Sequence, residues 1–295
     1  MAYSIDLESE RRTISLEDYV DAVAVLDLKK EVVALETAPL LKQLANNKQF
    51  LLDYVNTYLQ KNTSLEDENP YGTQSFIIYR CDDFFLRLNV WIKPKDYGGG
   101  LNWETRVFSY EAPHNHNFDF LTVNCLGDGY RTEIYDYDPS KHLGYLGEKV
   151  DLQLLESTRL SKNKVIYFRK FKDVHIQHAP DDELSVSLNL MINDPIANRM
   201  PQFEFDVVDR KITNVINNGY TGPKAFFGLV KHLGDMSSID MLRSIGDQHS
   251  DPRVRAFAWD AALGIEMDEA TLERLLDSND SIMRAELLRL RAHTL

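Results

Sequence analysis

The chain has 295 residues, 43% hydrophobic and 27% charged, a globular composition that disfavours disorder and a fibrous repeat and allows one large core or two modest ones. A net charge of −13 with no basic run opposes phosphate-backbone binding, so nucleic acid is not an expected partner. No apolar run reaches the length of a membrane span and the opening MAYSIDLESERRT is too charged for a secretory signal, so the expectation is a cytoplasmic protein without membrane association.

Residues 15–60 read as helix. Ser15 with Asp18 three positions on suggests a capping box, and APLLKQLANNKQFLLDYVNTYLQ carries apolar residues at helical spacing. The polar KNTSLEDENPYGT then marks a loop, which gives an N-terminal helical cap over 1–70. From Gln74 to about Met200 the pattern is that of strands. In FFLRLNVWIKP, Leu86, Leu88, Val90 and Ile92 alternate with Arg87, Asn89, Trp91 and Lys93. Further strands are expected at ETRVFSYE, FDFLTVNCL, YRTEIYDYD, KVIYFRKF and LSVSLNLMI, separated by YGGG, GDG, DPS and APDDE. Many short strands with turns between them predict a mainly β sandwich or barrel over 71–210. The two cysteines, Cys81 and Cys125, are too few for a disulfide framework and read as small apolar residues.

Residues 211–295 begin with a short extended stretch and turn helical from about Pro223. DPRVRAFAWDAAL from Asp251 and DSIMRAELLRL from Asp280 share Asp followed by Arg-Ala, which resembles a HEAT-type helical repeat over barely two copies. That resemblance implies a stacked-helix extension that packs on the β domain or presents a surface to a protein partner.

His114 and His116 stand one residue apart in APHNHNFDFLTVNCLGDGYRTEIYDYD. If 111–126 is extended, period-two geometry puts His114, His116, Phe118, Phe120, Thr122 and Asn124 on one face. Such a pair chelates a metal when a third ligand arrives from elsewhere, and His175 and His178 offer one from a turn between two strands. Asp119 faces the other way unless a bulge turns it inward. His142, His232, His249 and His293 have no spacing partner and read as structural.

The motifs HNHNFDFLTVNCLGDG and LSKNKVIYFRKFKDVHIQH together resemble the cupin superfamily, over about 74–200. The resemblance implies a double-stranded β-helix barrel and the metal ligands His114, His116 and His175, with His178 as the substitute. The chain departs from the common pattern where a glutamate follows the second histidine by four or five positions: Phe120 and Leu121 stand there. The resulting three-histidine site is similar to that of the cysteine dioxygenase branch, with Glu133 a possible fourth ligand. This implies a mononuclear non-haem Fe(II) oxygenase or oxidase acting with molecular oxygen on a small molecule such as an amino acid derivative. Three alternatives stay open. Mn, Ni or Zn at the same ligands would serve isomerase or lyase chemistry, and a ligand-sensing module would use the helical tail to dock a partner. A 2-oxoglutarate-dependent hydroxylase ranks lower, because Asn115 stands where its carboxylate is needed and no arginine follows before Arg199.

Strand parity supplies substrate-binding candidates: Arg87, Asn89 and Trp91 on one strand, Phe118, Phe120 and Thr122 beside the histidine pair, and Ser185, Ser187 and Asn189 on the last strand. Tyr167 and Arg169 alternate before His175 and are the catalytic candidates, the tyrosine as a hydrogen-bond donor or acid and the arginine as a carboxylate grip.

Overall fold

The computed structural model describes residues 3–61, 74–95, 105, 108–217 and 219–292. The KNTSLEDENPYGT loop beyond Lys61, the YGGG turn, residues 104, 106 and 107 of ETRVFSYE and His293 lie outside the described residues, and the described part of ETRVFSYE is a turn with one isolated bridge, Tyr110 to Gln177, in place of the expected strand. Eleven strands are described: β1 (Tyr3–Asp6), β2 (Ser75–Arg80), β3 (Phe84–Ile92), β4 (Phe120–Leu126), β5 (Arg131–Asp136), β6 (Gln153–Arg159), β7 (Lys164–Phe168), β8 (Asp173–Gln177), β9 (Leu184–Ile192), β10 (Gln202–Asp206) and β11 (Lys211–Asn217).

Six of them form one antiparallel sheet in the order β1-β7-β4-β9-β3-β2. Parity divides its two faces. Leu86, Leu88, Leu121, Val123, Val165, Leu188 and Leu190 point to one side, where they form a core with helices α1 (Leu16–Ala24), α2 (Glu31–Glu36) and α3 (Ala38–Asn46). Helix α4 (Lys48–Lys61) continues this layer, with Phe50 and Tyr54 against the same core. Ser15 caps α1 as expected, its hydroxyl accepting from the Asp18 amide at 3.0 Å. β1 was not expected within the N-terminal segment. It pairs with β7, so the sheet begins before the helices that cover it.

The other face of this sheet turns Trp91, Phe120, Ile166, Phe168 and Met191 toward a second layer that contributes Tyr130 and Ile134. That layer contains β6-β5-β8 and the pair β10-β11. Residues 113–115 join them. The His114 amide donates to the His175 carbonyl at 3.0 Å and the His175 amide returns the bond at 2.9 Å, while the Phe205 amide donates to the Pro113 carbonyl at 2.9 Å. Two antiparallel layers therefore face one another, and no strand pairing closes them into a cylinder among the described residues.

Two expectations change here. His175 lies in the middle of β8, paired with Ile134, not in a turn. Residues 111–126 are not one strand: a bend at 117–118 moves the chain from the second layer at His114 to the first at Phe120. The GDG turn then carries it back. Gly127 and Gly129 both have φ of +77°, a conformation that glycine adopts without steric cost.

The sandwich continues to Asn217, and helices follow: α5 (Thr221–Leu233), α6 (Met236–Gln248), α7 (Pro252–Ile265), α8 (Glu269–Leu276) and α9 (Ser281–Ala292). α7 is the central one, buried continuously from Ala256 to Leu263. The shared Asp…Arg-Ala pattern is a local arrangement at two helix starts. Asp251 caps α7 and Asp280 precedes α9; Arg255 reaches back to the Ser250 carbonyl at 3.3 Å, and Arg284 to the Ser278 carbonyl at 3.2 Å. This pairing of caps does not establish a HEAT-type array.

Candidate metal centre

His114, His116 and His175 meet between the layers, their ligand atoms all within 4.8 Å of one another. The HNHN stretch is built in alternation. Its histidines point inward and its asparagines, buried at 1% and 2% exposure, staple it to its neighbours. Asn115 accepts from the Phe203 amide at 2.8 Å and donates to the Phe171 carbonyl at 3.2 Å. Asn117 donates to the carbonyls of Asn198 at 3.0 Å and Met200 at 2.8 Å. Sequence reasoning missed both asparagines, although four polar residues in a row at a buried strand entrance were the available signal.

The outer ring nitrogens fix two of the imidazoles. His114 Nδ1 donates to the Ala112 carbonyl at 2.7 Å, and His116 Nδ1 to Gln202 Oε1 at 3.1 Å. Both Nε2 lone pairs are thereby left toward the cluster. His116 Nε2 lies 3.0 Å from His175 Nε2, and His175 Nδ1 is buried without a hydrogen-bond partner among the described residues. Burial holds the pKa of all three rings down, against the raising effect of Ala112 and Glu204 on His114. His116 and His175 fall well below the usual histidine value, through burial first and then the neighbouring imidazoles. Neutral imidazole is the ligating form.

This donor set fits a divalent ion. Two nitrogens each about 2.1 Å from one ion stand about 3.0 Å apart at a right angle, which is the spacing of the His116 and His175 donors. Among the described residues the cluster contains no carboxylate. Asp119 instead accepts from the Lys170 amide at 2.8 Å and pairs with its ammonium at 3.3 Å. Glu133 accepts from Tyr135 Oη at 2.6 Å and faces His178 Nε2 at 3.4 Å. His178 Nδ1 is engaged by Glu111 at 2.7 Å, so the substitute ligand is held outside the cluster.

A cavity of about 150 Å³ opens on His114 and His116. Its lining is mixed: the polar residues are Gln74, Ser75, Arg87, Asn89, Gln177 and Asn189, and the aromatic ones Trp91, Phe108, Phe120 and Tyr130. Arg87 is near enough for its charge to depress His116 further. Thus Arg87, Asn89, Trp91, Phe120 and Asn189 come together at the histidines. Phe118 stacks on the His116 ring at 4.6 Å, and Phe120 meets that ring edge-on at 5.2 Å. Thr122 is fully buried on the same face of β4 but does not line the cavity.

Several expected residues are placed elsewhere. Ser187 accepts from the Trp91 indole at 2.9 Å, and Ser185 accepts from the Gly129 amide at 3.1 Å, so both hold structure beside the cavity. Tyr167 has the opposite parity to Ile166 and Phe168. It is 1% exposed in the helix-facing core, where burial and then Asp119 push its phenol well up. Arg169 is bound through Nε to Asp173 at 3.1 Å and through Nη2 to Asp136 at 3.0 Å. Neither Tyr167 nor Arg169 lines the cavity, so the expected catalytic pair is on the wrong side of β7 and in an ion-pair network respectively.

No family model matches the chain, and no curated protein matches it in sequence. Among solved structures, it is similar to a hydroquinone 1,2-dioxygenase in complex with Cd2+ and 4-hydroxybenzonitrile, at 16% identity over 43% of this chain and 69% of that one, with a TM-score of 0.27. The hydroquinone 1,2-dioxygenase of Sphingomonas sp. TTNP3 with 4-hydroxybenzoate bound matches at 8% identity over 43% and 70%, with a TM-score of 0.27. The DMSP lyase DddQ of Ruegeria pomeroyi DSS-3 matches at 12% identity and a TM-score of 0.24 over 41% of this chain, which spans 47% of the DddQ chain. At these scores the likenesses carry no argument about function, and the reading rests on the histidine cluster itself.

Proposed function

We propose that the protein is a mononuclear non-haem Fe(II) oxygenase acting on a small polar molecule that carries a carboxylate, such as an amino acid derivative. The observation that carries this reading is the convergence of three imidazoles, that of His175 fully buried and those of His114 and His116 at the cavity, whose ligating nitrogens face one another. With the Nδ1 proton of His116 given to Gln202, its Nε2 lone pair meets His175 Nε2 at 3.0 Å, a contact that needs a proton or a cation between the two atoms. Ferrous iron held by these residues would supply activation of molecular oxygen.

The chain's own residues provide the rest. His114, His116 and His175 would hold the ion and, as neutral imidazoles, would leave it its full positive charge. Arg87 brings a cation to the cavity for a substrate carboxylate, and Asn89 and Asn189 bring amide groups to it. Trp91, Phe120 and Tyr130 line the same cavity with aromatic surface that excludes water. The absence of a carboxylate from the cluster among the described residues is why a two-histidine, one-carboxylate 2-oxoglutarate site is not the favoured reading.

The test is metal analysis of untagged protein and of a His114→Ala/His116→Ala variant, followed by anaerobic Fe(II) loading and oxygen uptake on a panel of amino acids and small carboxylic acids. Near-stoichiometric iron that the variant loses, with substrate-dependent oxygen uptake, is the expected result. Metal binding without oxygen uptake on any acid would move the reading to Mn, Ni or Zn chemistry or to a sensing module, and no metal in either protein would remove the metal centre altogether.

A further inference from the structure

A second, larger cleft, of about 830 Å³, lies where the sandwich meets the C-terminal helices, and it shares no lining residue with the histidine cavity. Its volume falls within the range of small-molecule sites. One wall is the loop after β9, and the others are the starts of α5 and α7 with Ile282 of α9. The lining is mostly apolar, with Ile196, Met200, Pro223, Val254 and Ile282 supplying much of it.

Two arginines, Arg199 and Arg253, outweigh the carboxylate of Asp251 in its lining, in a chain whose net charge is −13. Arg199 makes no side-chain hydrogen bond or ion pair among the described residues and stands on the cleft. Arg253 donates through Nη2 to the Leu143 carbonyl at 3.2 Å and lies over the Tyr220 ring at 5.6 Å, which leaves donors of its five-donor fork unused. The carboxylate in the lining, Asp251, is already engaged: it accepts from Tyr220 Oη at 2.6 Å and from the Arg253 amide at 2.9 Å.

The geometry points to a second binding site, for an amphipathic organic anion with a single carboxylate or phosphate head and a short apolar body. The head is taken by Arg199 and Arg253, since an arginine fork matches either oxyanion. The body lies against Ile196, Val254 and Ile282, where it removes apolar surface from water. The loop that forms this wall is held in place from the histidine stretch, through the bonds of Asn117 to Asn198 and Met200. The site stands independently of the metal reading.

Calorimetric titration of the full chain with octanoate, octyl phosphate and octylammonium tests it. One equivalent of an anionic probe binding, at least tenfold weaker in Arg199→Glu and lost in Ile282→Trp, with no binding of octylammonium, is expected. Tighter octanoate assigns the head as carboxylate, and tighter octyl phosphate as phosphate; both support the site. Circular dichroism melting of the two variants shows whether each remains folded, and exposed Arg199 is the substitution least able to disturb the fold. Binding of neither anion at millimolar concentration, or anion binding that folded Arg199→Glu and Ile282→Trp both leave unchanged, overturns the proposal.

Discussion

Nε2 of His116 and Nε2 of His175 lie 3.0 Å apart, although 59 residues separate them in the chain. The contact exists because the bend at 117–118 leaves His116 in the second layer, where His114 pairs with His175 of β8 while Pro113 and Asn115 bond to β10. Gln202 then orients the His116 ring from β10.

Gln202→Leu removes the acceptor for His116 Nδ1 while keeping a side chain of similar size. Loss of such an outer partner typically weakens metal binding by about 10–100-fold. Competitive titration of Co(II) or Zn(II) against a chelator measures this, and an unchanged affinity would show that Gln202 does not orient the ring.

The three histidines also make the metal-free protein sensitive to acid. Their folded pKa values lie below the ordinary 6.5, so below that pH the unfolded chain binds protons that the folded chain does not. Stability is therefore complete above about pH 6.5 and is lost as the pH falls through it. Urea unfolding from pH 8 to pH 5 should show this decline. Replacing His116 and His175 with phenylalanine should flatten it.

Asn117→Ala leaves the carbonyls of Asn198 and Met200 without their buried donor. A cost of about 2–4 kcal/mol is expected, since each unsatisfied buried group loses about 1–3 kcal/mol. Denaturant titration reads the value, and a loss under 1 kcal/mol would mean that water replaces the amide, by the same order-of-magnitude reasoning.

Gly129→Ala places a side chain at φ +77° and a Cβ 1.9 Å from the Leu160 carbonyl oxygen. The contact is with backbone, so relief requires β4, β5 or the Leu160 turn to shift. The variant should lose more than about 2 kcal/mol or fail to accumulate as folded protein, as judged by thermal melting.

Arg87→Met should lower kcat/KM at least tenfold for whatever carboxylate substrate the oxygen-uptake panel yields, chiefly through KM. Tyr167→Phe should leave kcat/KM within about twofold and cost only about 1 kcal/mol of stability, the ordinary worth of one buried hydrogen bond. The reverse pattern would return Tyr167 to the active site and remove Arg87 from it.

Period-two alternation by itself separated the faces of β3, β4 and β9, because the face that packs under the helices is purely apolar while the face toward the second layer carries polar and aromatic residues at every second position. Arg87, Asn89, Trp91 and Asn189, chosen by that parity, line one cavity with His114 and His116. Ser15 and Asp18 likewise marked the start of α1, since a cap is a local interaction. Parity could not say which face of β7 meets the other layer, and Tyr167 turned out to pack under the helices. Nor could it show that Asp173 and Asp136 neutralise Arg169, or that Glu111 and Glu133 draw His178 away, because those partners come from neighbouring strands and loops. The change of layer between His114 and Phe120 was equally hidden, and only tertiary pairing decided it. Backbone hydrogen bonds to β8 and β10 outweigh the continuity of a single strand, and they bring three distant imidazoles to one point.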